Sequence, residues 1–272
     1  MISTSGLPAG FALKLIERSR DSFEESIQRD PANKREISAF RERIGQITTA
    51  EQLVNDFEVY SFVMKAYDLE NQIYGKAMMK KVLSSNSEEK GSLVNKMTDT
   101  RFKDLYRAMG FTEAGTANTN TKDPEWVEAM VDRYIEQKLI NGQLETNTPV
   151  GTALHAEARA PKLTNWYTVL ADTKLQDFFY TALNLPDALK TSDIDVQAAT
   201  LKKKLDLETL SDPKVMDRLI SRYTAIAEAK AAQASLSSNP ILQLFNKNRD
   251  SGQRAIIGIS LDGLSSLRRG KY

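Results

Sequence analysis

DFEVYSFVMKAYDL (residues 56–69) and DTKLQDFFYTALNL (residues 172–185) are the stretches whose reading decides the fold. Each opens on an aspartate and then spaces apolar residues at helical intervals: Val59, Phe62, Val63, Ala66 and Leu69 in the first, Leu175, Phe178, Phe179, Ala182 and Leu185 in the second. An aspartate oxygen accepts from the free backbone N–H groups of a helix's first turn, so both stretches read as capped helices with one greasy face. Leu53, Phe57, Tyr60 and Met64 widen the first stripe, which predicts burial on more than one side. Asp172 follows Asp56 by 116 positions, and a second pair, DTRFKDL at 99–105 and DPKVMDRL at 212–219, is offset by 113. Two elements in one order at nearly one spacing predict an internal duplication. Met130-Val-Asp-Arg-Tyr134 and Leu219-Ile-Ser-Arg-Tyr223 fall outside that register and read as a recurrent helix face only.

Outward from these stretches the spacing stays helical. Leu13, Ile16, Phe23 and Ile27 share a face, as do Ile37, Phe40 and Ile44, and Tyr74, Met78 and Val82 recur at intervals of four. Asp30-Pro31, Asp123-Pro124, Asp212-Pro213 and Asn239-Pro240 each set a capping side chain before proline, which suits a helix start because the first turn needs no N–H from that residue. Residues 110–122 and 141–150 are rich in turn formers and read as loops. Strand-like alternation is confined to residues 255–261.

The expected architecture is all-α, about two-thirds helix, with two related helical modules packed together. The expected divisions are an N-terminal helix or arm over residues 1–29, modules over 30–145 and 146–235, and a basic, apolar tail over 236–272. The tail carries six basic residues against Asp250 and Asp262. The expected core includes Phe40, Leu53, Phe57, Phe62, Val63, Leu69, Leu105, Leu170, Phe178, Phe179, Leu185, Leu219 and Tyr223. Trp126 and Trp166 read as packing residues.

Composition narrows the chemistry. The chain has no cysteine and one histidine, which removes thiolate nucleophiles, cysteine metal sites and histidine clusters. A formal charge of +1 supplies no global field for nucleic acid or an anionic membrane, and no long apolar run predicts a membrane span. The start has no basic region leading into an apolar core, so no secretory signal peptide is expected. Phosphate-loop motifs are missing. Ser87-Glu-Glu-Lys90 matches a nucleophile–base spacing without its Lys-Thr-Gly partner, and reads as a solvated helix start. His155 reads as a polar helix-surface residue, and the adjacent Glu24/Glu25 and Glu88/Glu89 point in different directions on a helix. No catalytic, cofactor-binding or metal residue is predicted, and no cofactor is expected.

The phrase from Asp30 to Phe111, DPANKREISAFRERIGQITTAEQLVNDFEVYSFVMKAYDLENQIYGKAMMKKVL and later LVNKMTDTRFKDLYRAMGF, resembles the DUF1217 family, a domain of unknown function. The likeness continues through Arg133-Tyr134, residues 150–161 and Leu170-Ala-Asp172, and covers about residues 30 to 235. The resemblance implies an alphaproteobacterial protein often encoded among flagellar genes, and it carries no catalytic residues with it. It implies a non-enzymatic structural or protein-interaction protein whose partners are other proteins, flagellar components among them, with neither nucleic acid nor membrane. The location would be cytoplasmic, or exported without a cleaved signal peptide. The alternatives are a cytosolic helical adaptor or chaperone, and an enzyme using carboxylate, Lys or Tyr chemistry in a cleft between the modules.

Overall fold

Aspartates set the helix starts. Asp30, Asp123 and Asp212 each precede proline and accept from first-turn amides, namely those of Ala32 and Asn33, Glu125, and Lys214. Asp56, Asp99 and Asp172 cap in the same way. The computed structural model describes residues 3–238, and among them are fourteen α-helices and no strand. The first five are α1 (Ala9–Arg18), α2 (Arg20–Arg29), α3 (Pro31–Arg43), α4 (Ala50–Asn55) and α5 (Phe57–Ala66). Next come α6 (Lys76–Leu83), α7 (Leu93–Lys96), α8 (Thr100–Met109), α9 (Pro124–Thr146) and α10 (Thr148–Arg159). The last are α11 (Trp166–Ala171), α12 (Thr173–Ala182), α13 (Ile194–Lys204) and α14 (Pro213–Ser238). Met1–Glu228 forms one compact unit and Ala229–Tyr272 a second, of which the described part is the end of α14. The Asn239-Pro240 cap and the tail beyond Ser238 lie outside the described residues.

The first unit contains a structural repeat. Helix α12 begins and ends 116 positions after α5, and α11 does so after α4. The single turns Ile44–Gln46 and Ala160–Lys162 keep the same offset. So do the caps Thr49 and Asn165, which take the amides of Gln52 and Thr168. The helix ends match as well. Asp68 and Asn184 both turn into the left-handed region, at φ 56° and 51°, and Leu69 and Leu185 return amides to Met64 and Tyr180 at 2.8 Å.

The register then changes. Tyr134 on α9 stacks on Phe62 at 4.3 Å and its hydroxyl donates to Glu36 on α3. Tyr223 on α14 packs on Phe178 at 5.0 Å, and its hydroxyl faces Thr152 on α10, the counterpart of Glu36. Helix α14 is therefore the counterpart of α9, with Asp123-Pro124 matching Asp212-Pro213 at an offset of 89. This corrects the pairing of Asp99 with Asp212, and it gives the two Arg-Tyr matches a structural meaning. A helix start of aspartate, polar residue, basic or apolar residue is too generic to identify a counterpart, whereas the tyrosine–phenylalanine contact is specific. The first repeat carries 27 more residues between its matched elements, in the stretch that holds α7 and α8.

Two apolar clusters fill this unit, one running from Ala9 to Leu154 and taking in Val150 and Leu154 of α10, the other from Ala153 to Tyr223. Phe40, Leu53, Phe62, Val63, Leu69, Leu105, Phe178, Phe179, Leu219 and Tyr223 are buried as expected, while Leu170 and Leu185 are half-buried. Phe57 is not core: at the first position of α5 it points outward and is 56% exposed. Tyr74 precedes α6 instead of belonging to it, and is 95% exposed. Trp126 is half-buried with its indole N–H on Ala108 O at 2.8 Å, and Trp166 is buried. Residues 87–90 are an exposed turn, not a helix start.

The expected loop at 141–150 is helical except at Asn147, which alone breaks α9 from α10 and whose side-chain amide donates to Thr4 O and Leu7 O. The close crossing of the two helices falls just beyond this stretch, at Gly151. A Cβ on Gly151 would lie 2.6 Å from Leu144 Cγ and 2.7 Å from its Cα. Gly151→Ala is accordingly expected to lower stability by about 1–3 kcal/mol through overpacking, measured by urea unfolding. Gly91→Ala, which meets nothing within 4 Å, serves as the control.

Candidate functional site

A cleft of about 510 Å³ opens where the end of α5, the start of α8 and the start of α12 meet, lined by Asp68, Glu70, Asp99, Arg101, Arg159, Asp172 and Lys174 among others. The first repeat contributes Asp68, its additional segment contributes Asp99 and Arg101, and the second repeat contributes Arg159, Asp172 and Lys174.

Asp68 is the junction. It sits just past α5 in the left-handed conformation, which asparagine and aspartate tolerate better than most residues. Arg101 donates through one nitrogen to both the carbonyl and the carboxylate of Asp68. Its remaining nitrogens grip Asp99, the Nη2–Oδ2 distance being 2.7 Å. Lys174 Nζ reaches Asp68 Oδ2 from the second repeat at 3.0 Å. One carboxylate thus ties three parts of the chain together.

Asp172 performs two tasks with two oxygens. Oδ1 caps α12 by accepting from Lys174 N and Leu175 N, while Oδ2 meets His155 Nε2 at 2.8 Å and Arg159 Nε at 4.0 Å. His155 and Arg159 are one turn apart on α10, so both face it. A carboxylate can only accept, so His155 Nε2 carries the proton in this contact. Burial alone would raise the Asp172 carboxyl, but the His155 hydrogen bond and charge, the Leu175 amide and Arg159 outweigh it and hold the carboxyl well below its ordinary value. The Arg159 guanidinium is pushed down by burial; Asp172 opposes this and Arg101 adds to it.

His155 is a correction. It is 1% exposed and bonded to Asp172, not a surface residue. Its environment, Thr-Ala-Leu-His-Ala-Glu-Ala, looked two-sided in sequence because small alanines let α10 be buried on several faces at once. A usable signal was present elsewhere: Arg43 precedes Asp56 by the same 13 positions that separate Arg159 from Asp172. Arg43 Nη2 does pair with Asp56 Oδ2 at 2.6 Å. The ion pair is duplicated, while His155 occupies the place of Ala39 and belongs to the second copy alone.

Glu24, Glu25, Glu88 and Glu89 lie away from this cleft, and Arg20 and Arg29 pair with Glu24 and Glu25. Among the described residues no group of three or more His, Asp or Glu side chains is arranged to hold a metal ion, and no helix is long and apolar enough to cross a membrane.

The chain is similar to a solved structure, protein AGR_C_984 from Agrobacterium tumefaciens. The two are 28% identical with a TM-score of 0.74, the match covering 85% of this chain and 97% of that one. No curated protein matches. The profile of the family described as "Protein of unknown function (DUF1217)" matches residues 66–216, a span that starts at the end of α5, takes in the cleft, and stops inside α14. With more than half its length under that profile, the chain belongs to the DUF1217 family.

Proposed function

We propose that this protein is a non-enzymatic structural or protein-interaction protein, acting in flagellar assembly or export, with other proteins as partners and neither nucleic acid nor membrane. The observation that carries this reading is the state of the cleft: each of Asp68, Asp99 and Asp172 is already held by a cation or by histidine. Groups committed to one another in this way join repeats, which suits a structural role; Glu70 is the one carboxylate of the lining outside these pairs. The flagellar part rests on the gene association that the family resemblance implies. The location that fits is the cytoplasm, or export without a cleaved signal peptide.

Exposed aromatics supply a docking feature. Phe57 stands outward at the head of α5 with Lys76 Nζ 5.6 Å from its ring, and Tyr74 lies two residues before that lysine. Aromatic side chains of this kind dominate interface energies because they bury much area at small entropic cost. Deleting the gene is expected to impair filament assembly and swimming. Capture of a flagellar component by the full chain is expected to fall about fivefold or more in the Phe57→Ser/Tyr74→Ser double variant, with an unchanged melting curve. Wild-type motility on deletion, or undiminished capture, would count against the reading.

A second reading, a cytosolic adaptor that holds a partner helix, is favoured by a groove of about 630 Å³ along α1, α10 and α14 with Leu13, Leu154 and Ile220 in its lining. Capture abolished by Leu13→Glu but untouched by the aromatic changes would select it.

A further inference from the structure

Behind the paired charges of the cleft lies a second cavity, of about 390 Å³, whose ionic balance is very different. Five cations line it: Lys103 and Arg107 from α8, Arg133 from α9, Arg159 from α10, and Lys162 just after α10. Asp104 is the one carboxylate in that lining. Lys103, Arg107 and Lys162 form no ion pair among the described residues. Arg133 is half-committed: its Nε donates to Ala66 O at 3.2 Å while its guanidinium lies 4.0 Å over the Tyr67 ring, which leaves its other nitrogens available. Arg159 has only the long 4.0 Å contact with Asp172.

Like charges gathered in a concavity repel one another, and the low-dielectric walls focus their field outward. The arrangement is stable in isolation only at a cost that an anion would remove. The placement is also particular to the junction. Lys103 and Arg107 come from the additional segment of the first repeat, whereas Arg159 and Lys162 come from the second. Gln46 holds the position in the first repeat that Lys162 holds in the second, so the basic character is not simply duplicated.

We propose that this cavity binds a compact anion bearing more than one phosphate group. Guanidinium forks meet phosphate oxygens in pairs and lysines supply mobile point charges, a combination suited to phosphate over a single carboxylate. The volume admits a small ligand, and the threonine hydroxyls in the wall can donate to its oxygens. This goes beyond the interaction role proposed above and does not depend on it: the protein could dock its partner through the aromatics whether or not the cavity is filled.

The test is calorimetric titration of the full chain with tripolyphosphate at constant ionic strength, beside inorganic phosphate, sulfate and a single-stranded 20-nucleotide DNA. Saturable 1:1 binding of tripolyphosphate is expected, weakened about tenfold or more in Arg107→Ala/Lys162→Ala. Both side chains are exposed and without ion pairs, so the variant's circular dichroism and melting temperature should match the parent and its loss of binding cannot be a folding defect. Equal binding by the variant, or a response that sulfate reproduces at the same ionic strength, would overturn the proposal. Variant-sensitive binding of DNA with no binding of tripolyphosphate would also overturn it, in favour of nucleic acid.

Discussion

Phe62→Ala is expected to destabilise the protein by about 3–5 kcal/mol, and to do so by more than Phe178→Ala. Phe62 is sandwiched between Phe40, 4.2 Å away, and Tyr134, 4.3 Å away, with both pairs nearly parallel. Truncation removes both ring contacts and leaves a cavity, and the cost of that cavity depends on whether neighbours can collapse into it. Tyr134 cannot readily follow, because its hydroxyl is tied to Glu36 at 2.9 Å and Asn33 at 3.1 Å. Glu36 is in turn held by Lys65 at 2.8 Å. In the second repeat Phe178 contacts Phe179 edge-on and Tyr223 at a tilt, and the Tyr223 hydroxyl faces Thr152 and makes a long 3.5 Å contact with Asp177. Tyr223 is freer to move into the gap, so the penalty there should be lower. Urea unfolding of the two variants decides the order; a larger loss for Phe178→Ala would show that hydroxyl tethering does not govern how these cores relax.

The contrast between the two repeats also explains what was legible in the sequence. Asp56 and Asp172 were recognisable as caps because capping is local: one side chain and the next three amides suffice. Helix class and most of the core followed from spacing for the same reason. Phe57 departs from its expected core position because a residue at a helix's first position can point either way, and only the packing of α5 fixes its direction. Residues 141–150 depart from the expected loop because a long helix carries isolated turn formers such as Asn141 and Gly142 without breaking, and Asn147 alone leaves the helical path. The cleft was hidden more deeply. Its residues lie at 68, 99–101, 155–159 and 172–174, and only the fold brings them together; Asp68 in particular shows no local sign that its carboxylate serves Arg101 and Lys174 at once. The basic cavity was masked by a net charge near zero, because sums over a chain say nothing about where opposite charges sit.

Asp172→Ala should cost about 3 kcal/mol, against about 1 kcal/mol for Asp56→Ala at the equivalent position. Both substitutions remove a helix cap, worth about 1 kcal/mol. They differ in what is left behind. Loss of Asp56 frees Arg43, whose side chain is 44% exposed and can turn to water or to Glu58. Loss of Asp172 strands the His155 N–H in a site 1% exposed and withdraws a counter-charge from the half-buried Arg159, which adds about 2 kcal/mol. Combining Asp172→Ala with His155→Gln in a double-mutant cycle isolates the His155 share, since Ala39 shows that the position tolerates another residue in the sister repeat. The pH dependence has a definite sign. Because the folded Asp172 carboxyl lies well below the ordinary value of 3.8, its stabilisation is fully present above that value and is withdrawn as pH falls through and below it. The stability gap between parent and Asp172→Ala should on that account hold steady at mildly acidic pH and close as acidification continues past pH 3.8. A gap that widens in that range would mean that Asp172 is harder to ionise in the folded chain than out of it, and that the contacts with His155 and Arg159 do not stabilise its charge.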